Sequence, residues 1–227
     1  MTTGIIIFSF IFFTLAIFTI NSALKSETYT THRLAYYVLK PLTMLVIIGL
    51  AAWGWKLRAV SSYHDTYFWW FMEALFICLI GDIFLMVVSK KYFAHGVVCF
   101  LLAHVSFLIS FFLIPGPKAF NTIGTLFFII LAFLAYSYLY QRLNDLKYLV
   151  VTYIVTITLM GIVAVSLSPT TRLIPIGAAL FILSDVAVAI RQFKVKFRYG
   201  QLVILPTYFM AQYLMTLGAL SALDIPY

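Results

Sequence analysis

The chain has 227 residues, of which 64% are hydrophobic and only 10% are charged, and its formal net charge is +8. Soluble domains carry about 25% charged residues, so this composition excludes a soluble protein and predicts an integral membrane protein. Its apolar runs of about 20 residues do not alternate in polarity, which is typical of transmembrane helices and not of barrel strands.

The predicted fold is an all-α integral membrane protein with eight transmembrane helices. In chain order, the apolar runs between charged or turn-forming residues cover residues 4–20, 34–54, 67–88, 96–114, 122–141, 146–167, 172–190 and 201–223. Asn121, which ends the break "PGPKAFN", is predicted to cap the fifth helix. The first span lacks the basic segment and cleavage site of a signal peptide, so we expect it to be retained. Without a long linker, a single transmembrane domain over residues 1–227 is expected.

The basic residues predict the orientation of the spans, because cytoplasmic loops carry an excess of Lys and Arg. Ten lie in the loops after odd-numbered spans: Lys25, Arg33, Lys90, Lys91, Arg142, Lys147, Arg191, Lys194, Lys196 and Arg198. Four lie in the loops after even-numbered spans: Lys56, Arg58, Lys118 and Arg172. Both termini are therefore predicted to be non-cytoplasmic. The basic loops could also bind the phosphates of membrane lipids. The expected membrane is the inner membrane of a bacterium or the endoplasmic reticulum of a eukaryote.

Polar side chains interrupt the spans at a shared depth. Two of them are aspartates inside apolar runs, Asp82 in "LFICLIGDIFLMVV" and Asp185 in "GAALFILSDVAVAI". At 1.5 Å per residue, five polar residues lie roughly 8–12 Å below the predicted cytoplasmic face and a sixth lies deeper: Lys40, Asp82, His104, Asp185 and Tyr208, then Gln212. A carboxylate so deep costs about 2.5–3.5 kcal/mol, so the aspartates are expected to face a functional cavity. His104 and Tyr208 taken singly could be packing groups, and Lys40 could extend to the interface.

Two segments follow one plan and suggest an internal repeat. "IGDIFLMVVSKKYFAHGVVCFLLAH" and "LSDVAVAIRQFKVKFRYGQLVILPTY" each contain an Asp, an apolar turn, a basic loop, a Gly and then His104 or Tyr208. The two aspartate-bearing spans run in the same direction, so a parallel repeat of four plus four helices is predicted. Its axis along the membrane normal would bring the two aspartates towards each other.

The residues favour acid–base chemistry over other kinds of catalysis. We find no GxSxG motif and no phosphate-binding glycine loop, and helix geometry puts His95 and His104 on opposite faces, so neither a metal nor another cofactor is expected. Two carboxylates in a poorly solvated site share protons, and the protonated member can donate while the ionised member activates water or stabilises a cation. The alternatives are a proton-coupled transporter of a small molecule or lipid, with the Asp pair and Lys40 as a relay, and a non-catalytic lipid-binding protein.

An ordered set of motifs resembles the lysoplasmalogenases, a family of eight-span membrane enzymes. The motifs are "LKPLTM", "GDIFLM", "FAHG", "FLLAH", "GAALFILSD" and "TYFMAQ", and the similarity runs from the second span to the eighth. The family hydrolyses the vinyl ether bond of lysoplasmalogens to a fatty aldehyde and glycerophospho-ethanolamine or -choline. The resemblance implies an ether hydrolase whose partners are a lysophospholipid substrate and membrane lipids, and not nucleic acid.

The resemblance also assigns roles to residues of this sequence. It implies that Asp82 and Asp185 are catalytic and that five further residues bind substrate: Lys40, His104, Ser184, Tyr208 and Gln212. Pro206 removes a backbone hydrogen bond just before Tyr208 and is predicted to kink the last span. Which aspartate is the acid, and whether Lys40 and His104 bind phosphate or tune the carboxyl pair, are left open, as is the oligomeric state.

Overall fold

The computed structural model describes residues 2–26, 30–58, 66–87, 90–140, 147–193 and 200–223. Within these ranges lie a short 3₁₀ segment, Pro169–Thr171, and eight α-helices: α1 (Thr2–Ser26), α2 (Thr30–Arg58), α3 (Thr66–Met86), α4 (Lys90–Leu113), α5 (Thr122–Leu139), α6 (Lys147–Ser166), α7 (Leu173–Phe193) and α8 (Gly200–Ala222). The described part of the chain thus contains eight helices long and apolar enough to cross a membrane. The predicted all-α membrane fold is confirmed.

Several helices extend beyond the apolar runs that predicted them. α4, for example, begins at Lys90 although its apolar run begins at residue 96. Hydropathy marks the part of a helix that suits lipid, whereas backbone hydrogen bonding continues through polar residues at the interface. The predicted cap of α5 is confirmed, because the Asn121 side chain accepts a hydrogen bond from the Gly124 N–H at 2.8 Å.

Two tightly packed helix pairs, α3 with α4 and α7 with α8, carry the two aspartates. Glycines allow the close approach in both pairs. A Cβ on Gly177 of α7 would lie 2.8 Å from the carbonyl oxygen of Ala211 on α8, and one on Gly81 of α3 would lie 2.9 Å from the ring of Phe100 on α4. α8 is the most buried helix and also contacts α1, α2 and α3.

α5 lies at the periphery of the bundle, where it contacts α6 and α7. Its outer face carries exposed apolar side chains such as Ile123 and Phe133. Such a surface suits contact with lipid, and the chain is an integral membrane protein. The orientation stays a prediction, and four of the basic residues that support it lie outside the described residues: Arg142, Lys194, Lys196 and Arg198.

Candidate active site

Asp82 lies near the end of α3 and is held by side chains from two other helices. The Lys40 ammonium on α2 is 2.8 Å from Asp82 Oδ1, and the Tyr208 hydroxyl on α8 donates to Asp82 Oδ2 at 2.7 Å. Asp82 is 1% exposed and Lys40 is 6% exposed, so the lysine does not extend to the interface. The carboxylate and the ammonium therefore form a buried ion pair with both carboxylate oxygens engaged.

Asp185, on α7, also has partners on two other helices. The Tyr153 hydroxyl on α6 donates to Asp185 Oδ2 at 2.8 Å. His104 Nε2, on α4, lies 3.4 Å from the same oxygen and makes no hydrogen bond to it. The side chain of Asp185 is 16% exposed, against 2% for Asp82. Asp185 is thus the more accessible of the two carboxyl groups.

Aromatic rings pack against the side chains that contact the two carboxyl groups. Phe181 packs edge-on against His104 and Tyr208, with ring centroids 4.6 Å and 5.5 Å apart. Phe100 adds a second edge-on contact to Tyr208 at 5.9 Å. In such surroundings charges are poorly screened, so the ion pair and the hydrogen bonds are stronger than in water.

A cavity of about 110 Å³ connects the two carboxyl groups with the apolar interior. Its polar lining lies on α2, α3, α6, α7 and α8 and comprises Lys40, Asp82, Tyr153, Thr158, Ser184, Asp185 and Tyr208. The rest of its wall is apolar and comes largely from α5, α6 and α7, with residues such as Leu131, Ala135 and Ile157. Among the described residues no three His, Cys, Asp or Glu side chains form a metal-binding group. With this polar and apolar lining, the cavity can place acid–base groups beside the hydrocarbon chain of a bound molecule.

The model of the YhhN family matches residues 35–219, which covers every polar residue of this cavity. The chain belongs to the YhhN family. Solved structures give no match to it.

This YhhN-family chain is similar in sequence to curated proteins that are named after an enzymatic activity. It is 31% identical over 152 residues to Lysoplasmalogenase TMEM86A of Bos taurus and 30% identical over 152 residues to the protein of the same name from Homo sapiens. Each match covers 63% of this chain and 62% of the relative. The predicted resemblance to the lysoplasmalogenases is confirmed, although the matched region is less than two thirds of either relative.

The structure of the YhhN-family chain brings most of the predicted site residues together. Five of them line the cavity: Lys40, Asp82, Ser184, Asp185 and Tyr208. The Ser184 hydroxyl donates to the Ile204 carbonyl at 3.0 Å, which ties α7 to α8. His104 lies behind Asp185 and outside the lining, and Gln212 is fully buried with neither amide atom hydrogen-bonded. The roles assigned to these residues stay predictions.

Tyr153 is a site residue that the sequence analysis missed. It lies about two turns into α6 from the predicted cytoplasmic end, so the depth count used for the other spans would have included it. A tyrosine in an apolar span can equally be a packing residue, and no motif marked this one. Its hydroxyl is nonetheless the hydrogen-bond donor to Asp185.

Proposed function

We propose that this YhhN-family protein is a lysoplasmalogenase, which hydrolyses the vinyl ether bond of lysoplasmalogens to a fatty aldehyde and glycerophospho-ethanolamine or -choline. The observation that carries the proposal is the pair Asp82 and Asp185, two carboxyl groups that line one largely apolar cavity among membrane-spanning helices. The similarity to two proteins named lysoplasmalogenase supports the same reaction. The comparisons give the transporter alternative no support.

The lining of the cavity suits an amphipathic substrate with a single chain. The vinyl ether would lie at the polar end, between the two carboxyl groups, and the alkenyl chain would follow the apolar wall past Leu131, Ala135 and Ile157. Each buried CH₂ group of such a chain contributes about 0.8 kcal/mol to binding. The substrate would enter from within the bilayer, where lysolipids reside.

The proposed reaction needs one protonated and one ionised carboxyl group. The protonated aspartate transfers its proton to the vinyl carbon remote from the ether oxygen, and the electron pair of the double bond forms the new C–H bond. The resulting oxocarbenium ion is stabilised by the ionised aspartate, which also orients a water molecule. Attack of the water gives a hemiacetal, and its collapse moves a proton to the glycerol oxygen and releases aldehyde and alcohol.

Lys40 is proposed to tune the carboxyl pair and not to bind phosphate. Its ammonium is 2.8 Å from Asp82 and the side chain is 6% exposed, so a phosphate would have to compete with an existing buried ion pair. Beside Lys40, Asp82 stays charged in an apolar environment. This arrangement supplies the ionised carboxylate that the reaction requires.

The test of the proposed function is aldehyde release by the purified protein from lysoplasmenyl-ethanolamine, beside the matched acyl and alkyl lysolipids. We expect aldehyde from the vinyl ether lipid alone. In ¹⁸O-water the glycerol product should carry no ¹⁸O, because the bond that breaks lies on the vinyl side of the ether oxygen. Release of fatty acid from the acyl lipid alone would make the protein an esterase, and inertness towards all three lipids would contradict the proposal.

Replacement of either aspartate should stop the reaction in protein that still folds, although Asp82→Asn should also lower stability because it leaves the Lys40 ammonium buried and unpaired. Asp82→Asn and Asp185→Asn keep the side-chain shape but remove acid–base function, and we expect turnover to fall about 10²–10⁴-fold. Glu73 provides a matched control, because it is also on α3 but its side chain is exposed on the outer face. Glu73→Gln should keep the wild-type rate. Near-normal turnover in either Asn variant would exclude the two-carboxylate mechanism.

A further inference from the structure

The two aspartates receive their contacts in a crossed arrangement. In the predicted repeat, α2, α3 and α4 correspond to α6, α7 and α8. Asp82 on α3 is contacted from α2 and α8, and Asp185 on α7 is contacted from α6 and α4. Each carboxyl group is therefore held by the preceding helix of its own half and by the last helix of the other half.

The two environments differ by one positive charge. Where α2 presents the Lys40 ammonium to Asp82, α6 presents the neutral Tyr153 hydroxyl to Asp185. In the part of the chain that the structure describes, no Lys or Arg side chain is paired with Asp185. The contacts to Asp82, at 2.8 Å and 2.7 Å, are as short as charge-assisted hydrogen bonds. An uncompensated carboxylate at Asp185 would be costly in this setting.

The tautomer of His104 locates a proton beside Asp185. His104 Nδ1 is 2.5 Å from the Phe100 carbonyl oxygen, an acceptor, so Nδ1 must carry the hydrogen. In a neutral imidazole Nε2 is then a bare acceptor, and it faces Asp185 Oδ2. At 3.4 Å no hydrogen bond joins the two atoms, but their lone pairs are close enough to repel each other, so a proton on one of the two groups is favoured. An imidazolium–carboxylate pair would draw its atoms to about 2.7–2.9 Å, whereas the observed distance is 3.4 Å.

We propose that Asp185 holds this proton at rest and is the acid of the site, whereas Asp82 stays ionised beside Lys40. His104 and Tyr153 are positioning residues that fix the orientation of the Asp185 carboxyl group. The part of this inference that concerns the reaction rests on the proposed function. The location of the proton does not, because it follows from the contacts alone.

The assignment gives a balanced reaction in which the acid is regenerated. Asp185 gives its proton to the vinyl carbon and becomes a carboxylate, while Asp82 stabilises the oxocarbenium ion. When water attacks that ion, the proton it loses returns to Asp185. Collapse of the hemiacetal then needs only the transfer of its hydroxyl proton to the glycerol oxygen, so one water is consumed and no other reactant is required.

Infrared spectroscopy tests where the proton lies. The C=O stretch of a protonated carboxyl group is recorded at neutral pH, with the full-length protein in a detergent that lacks ester groups. Difference spectra against wild type should show that this band is lost in Asp185→Asn and kept in Asp82→Asn, with Glu73→Gln defining any contribution from the lipid-facing carboxyl group. Loss of the band in Asp82→Asn in place of Asp185→Asn, or a wild-type protein with no band of either aspartate, would overturn the proposal.

A matched pair of tyrosine variants tests the assignment with both carboxyl groups present. Tyr153→Phe removes the donor to Asp185, and Tyr208→Phe removes the equivalent donor to Asp82. The C=O band should shift in Tyr153→Phe and remain unchanged in Tyr208→Phe. A merely structural role of Tyr153 would leave the band in place. A shift in Tyr208→Phe, or no shift in either variant, contradicts the assignment.

The infrared spectra test the location of the proton and the lipid assay tests the proposed function, so either claim can be contradicted without the other. If aldehyde release is absent but the band follows Asp185, the proposed function is wrong and the assignment of the proton stands. If aldehyde is released but the band follows Asp82, the reaction stands and the roles of the two aspartates are reversed.

Discussion

The Lys40 side chain is neutralised within the bundle by a single carboxylate, and this pairing decides what the lysine can do. A lysine at this depth in an apolar helix can extend to the interface or find an anion. Here the anion is Asp82 on the next helix, at 2.8 Å. The ion pair thus links α2 to α3 at the level of the cavity.

At this scale we expect Lys40→Met to destabilise the protein. Removal of one partner from a buried ion pair costs about 3–5 kcal/mol, because the other charge is left buried and unpaired. The double variant Lys40→Met/Asp82→Asn should be more stable than Lys40→Met alone, since no unpaired charge remains. Unfolding in increasing SDS measures both effects. Lys118→Met, at an exposed lysine outside the spans, is the control, and strictly additive effects of the two site substitutions would contradict the pairing.

The helix pair formed by α7 and α8 carries Asp185, Ser184 and Tyr208. Gly177 of α7 lies against the backbone of α8 at Ala211, and the Ser184 hydroxyl bonds the Ile204 carbonyl nearer the cytoplasmic end predicted for these helices. Pro206 lies within α8, which continues as one helix from Gly200 to Ala222. Close backbone contact and a side-chain hydrogen bond together fix the distance between the two helices.

The prediction at the scale of the element is that Gly177→Ala separates α7 from α8. The new Cβ would lie 2.8 Å from the Ala211 carbonyl oxygen, so the backbones must move apart. We expect a lower unfolding midpoint and reduced aldehyde release, even though alanine favours a helix by about 1 kcal/mol over glycine. Gly49→Ala is the matched control, because its Cβ would meet only the Phe8 side chain at 3.4 Å. Equal midpoints for the two variants would contradict this account of the interface.

In the whole molecule, the cavity lies between the helices that carry the polar site residues and the peripheral helix α5. The polar groups come from α2, α3, α6, α7 and α8, whereas the apolar wall comes largely from α5, α6 and α7. α5 contacts fewer neighbouring helices than α8 does. We therefore expect chain-length preference to depend on α5, separately from the chemistry at the aspartates.

Ala135→Phe tests this division of the molecule. Ala135 lines the cavity, so a phenyl group there fills space that a long alkenyl chain would occupy. We expect kcat/KM to fall at least about tenfold for long-chain lysoplasmalogens, the effect of roughly 1.4 kcal/mol, and far less for short-chain ones. Leu134→Phe adds bulk at the adjacent, 58% exposed position and should have little effect. An equal loss of kcat/KM for every alkenyl chain length would show that the alkenyl chain does not lie beside Ala135.

The sequence predicted much of the site because a charge in an apolar span is conspicuous. Asp82, Asp185 and Lys40 were found in this way, and all three line one cavity. Tyr153 was missed because a tyrosine is tolerated in lipid-facing, packing and catalytic positions alike. The partners of His104 were equally hidden, since its nearest carboxyl group lies on a helix distant in sequence.

Hydropathy and length by themselves determined the eight spans, because lipid requires each crossing segment to satisfy its own backbone hydrogen bonds in a helix. They also predict a shared depth for the polar residues, since rise per residue is constant. Only the tertiary structure decided that Lys40 faces Asp82 while neutral groups face Asp185. Those partners depend on how each helix is rotated and how closely it packs, and such contacts are set by side chains and glycines on other helices.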